Sequence, residues 1–128
     1  MIYLDASVAL VHLLTEDRVP AATLWDEPMV ASRLLQYELW TRLHARRLER
    51  THGEDVRALL ARVTLVELSP VVLVRALEPF PVPVRTLDSV HLATAEFLRS
   101  QGQPIELASY DDRMVSAGRA LGIPIRTL

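Results

Sequence analysis

Short apolar runs alternate with longer helix-period stretches from one end of the chain to the other, and this alternation narrows the fold to the α/β class. The runs at residues 1–4, 29–31, 64–68, 105–109 and 123–128 read as strands, the second of them brief. Between them, 7–17 reads as a helix ended before Pro20, and a short helix carries Trp25 up to Pro28. Ser32 is placed to cap a long helix over 33–50, where Leu35, Leu39 and Leu43 repeat at helical spacing. Gly53 separates that helix from the next, 53–63. A helix over 70–80 starts on Pro70, which a first turn tolerates. The proline-rich stretch 79–84 is extended and leads into a helix over 85–100, with Gly102 as its C′ residue. A last helix over 111–121 is closed by Gly122. Strand–helix alternation of this kind predicts a central, mostly parallel sheet covered on both faces. With no repeat, linker or low-complexity segment, residues 1–128 are expected to form a single unit.

Composition removes several chemistries. There is no cysteine, hence no disulfide, thiolate metal site or cysteine nucleophile. The apolar start carries Asp5 and no preceding positive charge, so it reads as a strand and helix rather than a signal peptide. No uncharged run is long enough to cross a bilayer, and a cytoplasmic protein without membrane attachment is the expectation. Half the residues are apolar and mean hydropathy is +0.18, high for this size, which points to a homodimer or a tight protein partner. Net charge is −2, so no bulk positive field advertises nucleic acid, yet all 14 basic residues are arginine. Arginine grips phosphate with a planar fork.

In open parallel sheets, sites form where strands end and the following helices begin. Asp5 ends the first strand; Asp111 follows the strand at 105–109. Asp88 falls in the first turn of its helix and Glu38 in the second turn of the helix capped by Ser32. If those helices start at one sheet edge, the four acids converge there. Crowded carboxylates need a neutralising charge, and Mg²⁺ or Mn²⁺ suits oxygen donors. A cation held so favours phosphodiester hydrolysis.

Each acid also has a plainer reading. Asp5, Asp88 and Asp111 suit helix caps or first turns. Glu38 is spaced to pair with Arg42, and Asp112 suits the first turn beside Asp111. His91, one turn from Asp88, reads as a packed core histidine more readily than as a ligand. Arg42, Arg46, Arg47 and Arg50 read as a solvated face, with Arg42 and Arg46 the candidates for RNA phosphate contacts. Trp25, Tyr37, Trp40 and Phe80 read as core or partner surface rather than base-stacking platforms.

The segments MIYLDASVAL, LLQYELWTRL, VRTLDSVHLATA and ELASYDDRMVSAGRALGIPI resemble, in order and spacing, the PIN-domain family. They look most like its VapC branch, the ribonuclease toxins of type II toxin–antitoxin pairs. The resemblance implies an α/β/α sandwich in which Asp5, Glu38, Asp88 and Asp111 are the catalytic acids. It makes Asp5, Asp88 and Asp111 the Mg²⁺ or Mn²⁺ ligands and an RNA the substrate. It further implies a cognate antitoxin and places Ser7 and Ser109 as supporting hydroxyls. Asp111 fits the fourth acid better than Asp112, one residue away.

Two other acid-at-strand-end families fit less well. A phosphoryl-receiver domain wants an acid pair after the first strand and a late lysine, and lysine is absent. A haloacid-dehalogenase-type phosphatase wants an aspartate where Ser7 stands. An RNA-processing nuclease without a toxin role, and a PIN-like scaffold without turnover, stay open at this level.

Overall fold

Alternation within three residues sets the layers. In the computed structural model, which describes residues 1–15 and 19–128, strand β1 (Ile2–Leu4) turns Ile2 and Leu4 into one core and Tyr3 into another. That is the two-residue period of a strand, and all three side chains are fully buried. Strand β2 (Met29–Ser32) divides Met29 and Ala31 from Val30 in the same way, and β4 (Glu106–Ala108) divides Leu107 from Ala108. With β3 (Val63–Val66) they make a four-stranded sheet in the order β3-β2-β1-β4, every pair parallel.

Helices α1 (Ala6–Leu14), α2 (Leu34–Ala45) and α3 (Glu49–Ala61) contribute to the core that holds Ile2 and Leu4. Helices α5 (Thr86–Ser100) and α6 (Asp112–Ala120) cover the Tyr3 side, and α4 (Pro70–Ala76) packs on α5. The result is the expected α/β/α sandwich. Leu35, Leu39 and Leu43 form the buried stripe of α2, each contributing roughly 2 kcal/mol by leaving water. No helix among the described residues is long and apolar enough to cross a membrane.

Several boundaries differ from the sequence reading. The helix expected over 33–50 breaks at 46–48, where Arg47 takes a left-handed conformation with φ of 55°. No glycine or proline marks that break. Gly53 lies inside α3 instead, buried beside the Trp40 ring, where an added Cβ would make only ordinary contact at 3.4 Å. Ser32 belongs to β2, yet its Oγ accepts from Leu34 N at 3.2 Å and still caps the start of α2. The Trp25 segment is a 3-10 helix, Ala22–Asp26, and the helix from Pro70 is shorter than 70–80. The final strand reduces to one parallel bridge between Ile125 and Leu107. Gly102 and Gly122 follow the ends of α5 and α6 with φ of 87° and 77°, as C′ glycines do. The expected end of the first helix, Glu16 and Asp17, lies outside the described residues.

Most apolar residues of α1 and the Leu35, Leu39 and Leu43 stripe of α2 are spent on the core. Exposed large apolar side chains gather instead on and just after α4, at Val71, Leu73, Val74 and Leu77.

Candidate active site

After β1 the chain moves to β2 and β3 on one side, then returns to lay β4 on the other side of β1. The carboxyl ends of β1 and β4 therefore meet at the switch in strand order, where open α/β sheets leave a crevice. Asp5 leaves β1 there and caps α1, its Oδ2 accepting from Ser7 N at 3.4 Å. The same oxygen accepts from Ser7 Oγ at 2.6 Å and from Ser109 Oγ at 2.7 Å. Each serine is itself fixed: Ser7 Oγ accepts from Tyr110 N at 2.9 Å, and Ser109 Oγ from Asp111 N at 3.0 Å. Only 6% of Asp5 is exposed, and these donors offset the burial of its charge.

Asp111 caps α6 with Oδ1, which accepts from Arg113 N at 2.9 Å and Met114 N at 3.4 Å. Its Oδ2 accepts from Arg85 Nη2 at 2.8 Å. Arg85 Nε points to Asp88 Oδ2 at 3.4 Å, so one guanidinium spans both acids. Asp88 sits in the first turn of α5 because Arg85 is the N-cap residue of that helix. Asp112 is exposed in the first turn of α6, so the chain brings Asp111, not Asp112, to the cluster.

Glu38 reaches from α2 to His91 on α5, Oε1 lying 2.5 Å from Nε2. His91 is 1% exposed, and its Nδ1 is 2.8 Å from the Tyr3 hydroxyl, which accepts from Ser32 N at 3.0 Å. Burial alone would lower the His91 pKa. The hydrogen bond to Glu38 and the charges of Glu38, Asp5 and Asp88 together outweigh it, and the pKa rises. His91 is thus the packed histidine expected, and it also orients Glu38. Glu38 makes no ion pair with Arg42 among the described residues.

A common pattern links three of the acids. Asp5, Glu38 and Asp88 each bind the scaffold or a neighbouring cation through one oxygen, Oδ2, Oε1 and Oδ2, whereas Asp111 uses both, Oδ1 for the cap and Oδ2 for Arg85. The helix-cap reading of Asp5 and Asp111 is correct and does not compete with a functional one. Among the described residues no three acidic or histidine side chains close into a ready-made metal cage. The acids stand as one serine-bound aspartate, one arginine-bridged pair and one histidine-bound glutamate.

Arg85 and Tyr3 were not singled out by sequence. The signal for Arg85 was its spacing of three before Asp88, the reach of one helical turn. Of the proposed phosphate contacts, Arg42 lines a groove with Glu38, while Arg46 is the exposed C-cap of α2.

Comparison with known proteins bears on the family and the fold. The family model described as PIN domain matches residues 2–120. The chain is 33% identical over 132 residues to Ribonuclease VapC46 of Mycobacterium tuberculosis, covering 97% of this chain and 95% of that protein. It is 32% identical over 131 residues to Ribonuclease VapC35 of the same organism, covering 98% and 95%. Among solved structures, M. tuberculosis VapC20, described as a sarcin-ricin loop cleaving toxin, superposes with a TM-score of 0.66. That match covers 92% of this chain and 95% of VapC20 at 20% identity, and bears on the fold alone.

Proposed function

The chain belongs to the PIN-domain family, and from that premise we propose that it is a VapC-type endoribonuclease hydrolysing RNA phosphodiester bonds with Mg²⁺ or Mn²⁺. The observation that carries the reading is the convergence of Asp5, Asp88, Asp111 and Glu38 at the carboxyl edge of the sheet.

The donor chemistry fits a hard divalent cation. Cysteine is absent, and both nitrogens of His91 are engaged, which leaves carboxylate oxygens. Arg85 already supplies positive charge between Asp88 and Asp111, which is what two neighbouring carboxylates require. Mg²⁺ keeps several waters and uses only one or two carboxylates at a time, so a closed cage is not needed. Asp5, Asp88 and Asp111 would hold it. Bound there, the cation supplies Lewis acidity towards a phosphoryl oxygen and makes water more acidic.

The chain's own residues do the rest. Ser7 and Ser109 hold Asp5 in one orientation, as groups behind a ligand commonly do. His91 fixes Glu38 through Oε1, leaving Oε2 to accept a proton from attacking water. Arg42 offers a cation for a flanking phosphate that the acids would repel.

The sequence resemblance extends the reading to a cytoplasmic toxin restrained by a cognate antitoxin. The apolar row on α4 supports a homodimer formed there. The test is cleavage of RNA by purified, antitoxin-free protein in Mn²⁺ or Mg²⁺, with EDTA and Asp5→Asn as controls. Cleavage abolished by both controls is expected. Cleavage that survives either one overturns the metal-acid reading.

A further inference from the structure

Helix α2 buries Leu35, Leu39 and Leu43, and beside that stripe it carries a second one. Leu34, Tyr37, Glu38, Thr41 and Arg42 stand at i, i+3, i+4, i+7 and i+8 on one helical face, and all line a single groove of about 380 Å³. Ala6 and Leu10 of α1 form part of its apolar wall, and Leu87 of α5 stands opposite. The groove thus opens beside three of the four acids: Ala6 follows Asp5, Leu87 precedes Asp88, and Glu38 lines it directly.

Two side chains here are not used by the fold. Tyr37 is 63% exposed, so its ring is not consumed by the core. Arg42 has no ion pair among the described residues, although Glu38 is one turn away, because Glu38 is committed to His91. An accessible aromatic face, an apolar wall and an uncompensated guanidinium match a nucleotide: a base that stacks, a sugar that packs, a phosphate that pairs. The volume lies at the lower end of ligand-sized clefts, enough for one nucleotide.

We propose that this groove is the subsite for one unstacked nucleotide next to the scissile phosphate, with its base on Tyr37 and its phosphate on Arg42. The assignment rests on the ribonuclease reading above. It places a sequence-tolerant contact at Tyr37, since every base has a stacking face, and a backbone contact at Arg42.

The probe is a short mixed-sequence single-stranded RNA containing 2-aminopurine, cleaved in Mn²⁺ by wild type, Tyr37→Leu, Tyr37→Phe and Arg42→Gln. Tyr37→Leu is expected to raise KM about tenfold with kcat within about twofold, and Tyr37→Phe to restore it. The 2-aminopurine emission is quenched on mixing with wild type and not with Tyr37→Leu. Arg42→Gln raises KM and lowers the slope of log KM against log salt by about 0.7, the value for one phosphate contact on a single strand. Equal KM and equal quenching for wild type and Tyr37→Leu overturn the subsite while leaving the nuclease intact. So does a variant that keeps its RNA kinetics and instead loses a co-purifying protein, since the groove would then be a protein-docking surface. A wild-type protein that cleaves no RNA overturns both readings.

Discussion

Ser109 Oγ donates to Asp5 Oδ2 at 2.7 Å, a contact between residues 104 positions apart that ties the end of β4 to the end of β1. The serine also accepts from Asp111 N, so one hydroxyl sets the orientation of one acid and the backbone position of another. Ser109→Ala is expected to cost about 1 kcal/mol of stability, the usual worth of a buried hydrogen bond. It should lower Mn²⁺ affinity or kcat by about 10- to 100-fold, as loss of a group behind a metal ligand does. Titration calorimetry with Mn²⁺ and denaturant unfolding, run side by side, separate the two effects. A change in stability without any change in metal affinity would make Ser109 purely architectural.

Arg85 holds Asp88 and Asp111 through a largely exposed guanidinium, the kind of contact that is weak and exchangeable. The two acids cannot give the same lone pairs to Arg85 and to a cation at once. Arg85→Gln should therefore bind Mn²⁺ about three- to fivefold more tightly than wild type while melting at a lower temperature in EDTA. Weaker Mn²⁺ binding in the variant would mean that Arg85 assembles the acids rather than competing for them.

His91 links stability to pH. Its folded pKa lies above the ordinary value of 6.5, because the Glu38 bond and the surrounding acids outweigh burial. A raised pKa contributes stability that is complete below the unfolded pKa and is lost as pH rises through the folded one. Unfolding midpoints of metal-free protein should thus fall from about pH 6.5 upward, and the fall should be absent in His91→Gln. His91→Ala removes one partner of a buried pair and should cost about 3 kcal/mol. A midpoint independent of pH over this range in wild type would contradict the charged pair.

Asp111 and Asp112 offer an internal control. Asp111→Asn keeps an acceptor for the cap of α6 while removing the charge, so it should fold normally and lose cleavage. Asp112→Asn, on an exposed first-turn residue, should retain nearly full activity. Parallel assays on one RNA decide the matter; equal losses would move the fourth acid.

The α4 row is expected to mediate self-association. Leu77 is 87% exposed and Val74 more than half exposed. The double change Val74→Asp, Leu77→Glu should yield monomers by light scattering without lowering thermal stability per chain. A wild-type monomer would remove the dimer from the reading.

Much of this arrangement is legible from residue order because strand ends and helix starts are marked by short polar side chains. Asp5 and Asp111 were visible as acids at strand ends, and they are the caps of α1 and α6. Capping a helix uses one face of each carboxyl group, so the plain reading of these residues holds without excluding the functional one. The break at Arg47 was not legible, since a left-handed arginine carries no compositional mark, whereas Gly53, which reads as a break, lies inside α3. Arg85 was missed because an arginine before a helix resembles any solvated charge until a third element, α6, is brought beside it. Tyr37 was read as core or partner surface; at 63% exposed it is not core, and helical spacing could not decide because it does not distinguish two adjacent stripes on one helix. Only packing shows that Leu35, Leu39 and Leu43 form the inner one.

Laying β4 beside β1 also has a consequence for timing. The first acid is made at position 5 and the last at position 111, on the far side of a strand that must dock before the two meet. A chain lacking β4 and the residues after it has Asp5 without Ser109 and the Asp88–Arg85 pair without Asp111, on a sheet whose central strand is an open edge. The acids therefore come together only once residues 106–111 have docked beside β1.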